Sequence, residues 1–194
     1  SDDLRLLGKT GSSAFQIPNG TYLWNTSAIG SGDSEIFGVA LDSCGSVIVA
    51  GKHESGIDFG NGVSAEHFGF ADAFVAKYDS LGNLVWVHGP NGSGNDGFYD
   101  VALDRSGNIY IGGYHNSGLD LGNGVNISDE PSTGIVLAKY DNNGNALWVA
   151  NITGAGSEQA YDLTVDDAEN LYVTGYHDSG LDFGGGITVA DEGF

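Results

Sequence analysis

The sequence predicts an all-β chain built from repeated four-stranded antiparallel units, and three observations carry that expectation. Glycine occupies 33 of 194 positions, well above the roughly 7% of ordinary proteins, so the backbone turns often. Identities recur at a spacing of 62 residues, linking Trp24, Trp86 and Trp148, then His53, His115 and His177, then Asp42, Asp104 and Asp166, then Asp58, Asp120 and Asp182. Apolar and β-branched residues fall in short runs bounded by Gly, Asn and Asp, and no convincing amphipathic helix intervenes. With 40% hydrophobic and 11% aromatic residues the chain has material for a sizeable core.

The elements follow in order within one repeat. Phe98-Tyr-Asp-Val-Ala-Leu-Asp104 and Asn108-Ile-Tyr-Ile-Gly-Gly-Tyr114 flank the turn Arg105-Ser-Gly107 and read as a first hairpin. A long Gly/Asp loop, 115–133, leads to Gly134-Ile-Val-Leu-Ala-Lys-Tyr140, the turn Asp141-Asn-Asn-Gly144, and Asn145-Ala-Leu-Trp-Val-Ala150, a second hairpin. Leu147 and Trp148 make both faces of that last run apolar, the pattern of a strand covered on two sides. The segments 98–132 and 160–194 are identical at 16 of 35 positions. Duplication on this scale predicts stacked supersecondary units, and four-stranded units covered on both faces by their neighbours are the blades of a β-propeller. The expected organisation is an N-terminal arm (1–12), an outer half-blade (13–35), blades at 36–97 and 98–159, and an inner half-blade with its loop (160–194).

Three stretches carry a family resemblance: Asp-Val-Ala-Leu-Asp-Arg-Ser-Gly-Asn-Ile-Tyr-Ile-Gly-Gly (100–113), Ser-Gly-Leu-Asp-Leu-Gly-Asn-Gly (117–124) and Ala-Lys-Tyr-Asp-Asn-Asn-Gly-Asn-Ala-Leu-Trp (138–148). They resemble the SBBP family of bacterial β-propeller repeats over nearly everything after residue 13. The resemblance implies a non-catalytic module in a secreted or cell-surface setting and carries over no catalytic residue. The first unit departs from it by losing Lys-Tyr-Asp, and the third has Asp167-Ala-Glu169 where a turn glycine is expected.

Three blade equivalents are fewer than the roughly four to eight of known rings, and an open array would leave strand edges and apolar faces uncovered. The expectation is therefore completion, either by a second copy joining head to tail or by the remainder of a longer chain.

Charge narrows the ligands. With 26 acidic and 6 basic residues the net charge is −20, which disfavours nucleic acid and acidic membranes and favours cations or neutral ligands. No run of 18 apolar residues suggests membrane insertion. The single cysteine, Cys44, sits in a polar turn and offers no internal disulfide.

Candidate ligand-binding residues are His53, Asp58, His115, Asp120, His177 and Asp182, one imidazole and one carboxylate per long loop, with Tyr114 and Tyr176 beside them. The same residues serve equally as loop scaffolding, because His and Asp satisfy loop backbone groups. Candidate metal ligands are Asp58, Asp120, Asp182, Asp33, Asp96 and Glu158, with Ca2+ as the candidate cofactor because hard cations need several oxygens. The three tryptophans read as core anchors in preference to sugar platforms; Tyr114, Tyr176, Tyr99 and Tyr161, near strand ends and loops, are better placed for that role, although tyrosine tips emerging from a core are ordinary. The turns at Asp42, Asp104 and Asp166 preserve turn chemistry without the ligand spacing of a calcium loop. Neither Gly-x-Ser-x-Gly nor His-Glu-x-x-His occurs. Gly92-Ser-Gly-Asn-Asp-Gly97 fits a dinucleotide formula but precedes a strand, where the phosphate would lack its helix N-terminus. The expected function is a non-catalytic module for assembly, adhesion or glycan or calcium binding. Alternatives are a polysaccharide-acting propeller hydrolase or lyase and a structural surface-layer or filament subunit.

Overall fold

The computed structural model describes residues 11–16, 24–60, 62–128 and 133–191, which form eighteen strands and no helix. Most of the expected N-terminal arm lies outside the described residues. Strands β1 (Gly11–Gln16) and β2 (Trp24–Gly30) form an antiparallel outer hairpin. Strands β3 (Ser34–Leu41), β4 (Val47–His53), β7 (Asp72–Tyr78) and β8 (Leu84–His88) make a complete four-stranded blade in that order. Between β4 and β7 lie the two-residue strands β5 (Ile57–Asp58) and β6 (Ser64–Ala65).

The second blade repeats the plan with β9 (Gly97–Leu103), β10 (Ile109–His115), β13 (Gly134–Tyr140) and β14 (Ala146–Gly154), and with β11 (Leu119–Asp120) and β12 (Asn126–Ile127) in its loop. An inner hairpin, β15 (Glu158–Val165) and β16 (Leu171–His177), is followed by β17 (Leu181–Asp182) and β18 (Thr188–Val189). The chain is thus all-β, with antiparallel sheets of a propeller-like kind that close no ring among the described residues.

Within the stretch 115–133, which reads as loop, β11 and β12 pair as a small hairpin with a structural task. In each unit this hairpin clasps the outermost strand of the unit before it or, in the second blade, the segment just after that strand. Ile57 and Asp58 pair with Gly30 and Ile29, and Leu181 and Asp182 pair with Gly154 and Thr153. Asp120 exchanges both backbone hydrogen bonds with Asn91, at 2.9 and 3.0 Å. The clasp covers strand edges that would otherwise offer unpaired amides and carbonyls. It also buries an apolar residue beside each exposed aspartate, with Ile57, Leu119 and Leu181 all inside.

Three apolar clusters knit the units together. Val47, Val49, Phe74 and Tyr78 pack with Ala28, Ile57 and Phe59 on one face of the first blade. Ile48, Ala50 and Val75 pack with Phe98, Val101 and Ile111 between the blades, and Ile135, Leu137 and Ile152 pack with Ala160 and Leu181 beyond the second. At roughly 25 cal/mol per Å2 of apolar area removed from water, these clusters stabilise the contact of each unit with the next.

Trp86 packs as the expected core anchor, whereas Trp148 departs from that expectation. Trp86 packs against the second blade and its Nε1–H donates to the Asn142 carbonyl at 3.3 Å. Trp148 is 36% exposed and Leu147 48% exposed, because the unit beyond them contributes only its inner hairpin. The side chain of Trp24 lies outside the described residues.

The hairpin turns are closed by their aspartates. Asp42, Asp79, Asp104, Asp141 and Asp166 each accept at Oδ1 from the amides two and four residues on. Glycine takes the left-handed position at 45, 82, 107 and 144, and in the last unit Glu169 takes it at φ 64°. That conformation is costly for a residue with a Cβ, and the Glu169 carboxylate meets Lys139 Nζ at 3.0 Å. Lys77 and Lys139 pair with the periodic turn acids, at 3.0 Å to Asp42 and 3.3 Å to Asp104. Burial opposes ionisation of Asp42, yet the Lys77 ammonium and the Ser46 and Cys44 donors hold its carboxyl at about 2. Cys44 itself is free and exposed.

Candidate functional site

The most distinctive surface begins with a repeated defect in strand pairing. On β3 the register passes from Ile36 to Gly38, on β9 from Phe98 to Asp100, and on β15 from Ala160 to Asp162, which leaves Phe37, Tyr99 and Tyr161 as the extra residue of a β-bulge in every unit. A bulge re-aims the side chain it carries. The glycines opposite are demanded by it: a Cβ at Gly51, Gly113 or Gly175 would stand 2.0, 1.9 or 2.0 Å from the carbonyl oxygen of Glu35, Gly97 or Gln159.

The three bulged aromatics meet across blades. Phe37 and Tyr99 make an edge contact with centroids 5.0 Å apart, and Tyr99 stands 5.7 Å from Tyr161 and 5.4 Å from Tyr114. Phe37 is 42% exposed and Tyr161 51% exposed, so both ends of the row reach the surface, with Tyr99 partly buried between them. Tyr114 donates from its hydroxyl to Asn95 Oδ1 at 3.0 Å. Burial, followed by its neighbours Tyr99 and Asp96, pushes the Tyr114 phenol up. Tyr176 is exposed on β16. Tyr99 and Tyr161 are, with Tyr114 and Tyr176, the tyrosines the sequence places near strand ends and loops, whereas Phe37, 62 residues before Tyr99, was passed over.

The periodic histidines are loop braces. Nδ1–H of His115 donates to the Ser117 carbonyl at 2.7 Å and that of His177 to Ser179 at 2.6 Å, while His53 makes the same contact with Ser55. Asp58, Asp120 and Asp182 are each turned onto a glycine amide two residues on, at 2.7, 2.9 and 2.7 Å. Asp33 is exposed, and its backbone carbonyl accepts from the Glu54 amide at 2.8 Å. Glu158 is buried, accepting from the Gly156 amide at 3.0 Å and Ser179 Oγ at 2.9 Å. Asp96, at the equivalent position one unit earlier, is buried with Oδ2 lacking a partner among the described residues. Burial, reinforced by the Asp72 charge, raises its carboxyl to about 7 despite the Asn116 amide.

Among the described residues, one group of three or more His, Cys, Asp or Glu brings its ligand atoms within 4.8 Å of one another, namely His53, His67 and Asp72. Of these only His53 was a candidate from sequence. His67 and Asp72 carry no periodic signal, since Asp129 and Gly134 stand 62 residues after them.

An open groove of about 530 Å3 lies at the clasp of the second blade, lined by Phe68, Asn91, Ser93, Leu119, Asp120 and Ile127 among others. Beside the aromatic row, Asp100 is raised by burial and by its contact with Asp162. Two carboxylates at hydrogen-bonding range are closer than the roughly 5–9.5 Å that glycoside hydrolysis uses.

No family model matches the chain. The chain is similar to an uncharacterized WD repeat-containing protein of Acanthamoeba polyphaga mimivirus, 24% identical over 156 residues that cover 71% of this chain and 11% of that protein. WD repeats are propeller repeats. The similarity is therefore to a protein described as carrying propeller repeats. The chain thus spans a small part of the propeller-repeat relative it matches, and the finer SBBP type has no matching model.

Proposed function

We propose that this chain is a non-catalytic propeller module of a secreted or cell-surface protein, of the SBBP type, that binds a neutral glycan along the row Phe37, Tyr99 and Tyr161. The carrying observation is that row: three aromatics in successive contact, exposed at both ends, each delivered by the same bulge. Flat aromatic faces suit the apolar faces of sugar rings, and a net charge of −20 favours uncharged chains over anionic ones. His115, His177, Asp58, Asp120 and Asp182 support scaffolding, because each is bonded within its own loop.

Titration with neutral oligosaccharides, followed by chromatography of the ligand, tests this reading. Binding weakened about tenfold or more by Tyr161→Ala, with the sugar recovered intact, supports it. Undiminished binding in that variant, or cleavage of the sugar, overturns it.

A second reading, assembly by blade completion, is supported by β16, whose outer edge pairs with no strand among the described residues. Completion by a second copy predicts a native mass twice that of one chain.

A further inference from the structure

We propose that His53, His67 and Asp72 form a binding site for one divalent transition-metal ion of the zinc class. The site lies where β4 ends and β7 begins, with His53 and Asp72 directly paired in the register of the sheet. His53 is 1% exposed and Asp72 1% exposed, yet His53 Nε2 and Asp72 Oδ1 have no hydrogen-bond partner among the described residues. A buried polar atom without a partner costs about 1–3 kcal/mol, so two of them side by side need an explanation.

The state of each group fits a metal. Nδ1 of His53 faces the Ser55 carbonyl, which fixes the proton there and leaves the Nε2 lone pair free, the arrangement ligating histidines adopt. Asp72 is oriented by its other oxygen: Oδ2 accepts from the Phe68 amide at 2.9 Å and lies 2.5 Å from His67 Nδ1. His67, 28% exposed at its side chain, stands on the solvent side and gives an ion its way in. Two imidazoles and one carboxylate suit Zn2+, which takes three protein ligands and a water, whereas Ca2+ requires about six to eight oxygens.

The second blade supplies the control. There His115 Nε2 is taken by Asn151 Oδ1 at 2.8 Å, and Gly134 stands opposite the histidine. In the first blade Gly89 replaces that asparagine and Asp72 replaces that glycine. The side chain that would satisfy the brace is gone, and a ligand set is in its place.

The test is titration of the chelator-stripped full chain with Zn2+ against a chromophoric chelator, and with Co2+ followed by visible absorption. One equivalent should bind, with a tetrahedral cobalt spectrum. Affinity should fall at least about 100-fold in His67→Ala and in Asp72→Asn, while His177→Ala leaves it unchanged. Circular dichroism separates loss of ligand from loss of fold, and the variant of the partly exposed His67 is the one expected to fold. Absence of stoichiometric uptake, or uptake unaffected in a folded His67→Ala protein, overturns the proposal.

Discussion

The two complete blades share strand order, register, bulge and loop brace, yet they treat the same buried histidine in opposite ways. Around His115 both ring nitrogens are engaged, by Ser117 and by Asn151. Around His53 one nitrogen is engaged and the other faces Asp72 and His67 with no hydrogen-bond partner among the described residues. The lesson is that duplication supplies the frame and departures from it supply chemistry. A position held the same in every copy serves the fold that all copies share, and a position that breaks the pattern is freed from that service.

The largest effect should come from what the blades share. Gly113→Ala places a Cβ 1.9 Å from the Gly97 carbonyl oxygen, and Gly51→Ala places one 2.0 Å from that of Glu35. Each should cost about 4 kcal/mol or more, since backbone must move. Urea denaturation of both variants checks this, and a mild effect in either would mean the bulge is adaptable in that blade.

A smaller effect separates the junctions before β9 and β15. Burial raises the Asp96 carboxyl to about 7 in the folded chain, against 3.8 when free. The folded state therefore holds its proton more tightly, so this stabilisation is complete below pH 3.8 and is lost as pH rises to about 7. The change is up to about 4 kcal/mol. Thermal melts of the metal-free chain from pH 4 to 8 should show the decline, and Asp96→Asn should flatten it. A flat profile in the parent chain would show that Asp96 is not held protonated.

The smallest effect sharpens the contrast at the histidines. Asn151→Ala strips His115 of its Nε2 partner and should cost about 1–3 kcal/mol. If its denaturation midpoint matches the parent, the second blade tolerates an orphan nitrogen, and the case for a ligand at His53 weakens with it.

How much of this was legible depended on whether the feature recurs. The hairpins, the Asp-closed turns and the bracing histidines all announce themselves at a spacing of 62, and the structure places β9, β10, β13 and β14 on the runs that periodicity marks. The clasp was hidden because strands of two residues carry no alternation to read. The bulge was hidden because Phe37, Tyr99 and Tyr161 look like ordinary strand residues until the register skips them. His67 and Asp72 were hidden for the opposite reason. They occur once, and a reading organised by repetition looks past what does not repeat. Trp148 misled because its burial depends on a neighbour that is only half present.

The clasp also bears on how such a chain can change length. Because each small hairpin grips the end of the unit before it, the sequence repeat and the spatial blade are out of phase, and every boundary in one is bridged in the other. Inserting or deleting a whole 62-residue period therefore leaves each grip with a partner of the same kind. Ring size in such an architecture is open to recombination, with no new interface to invent at the joint.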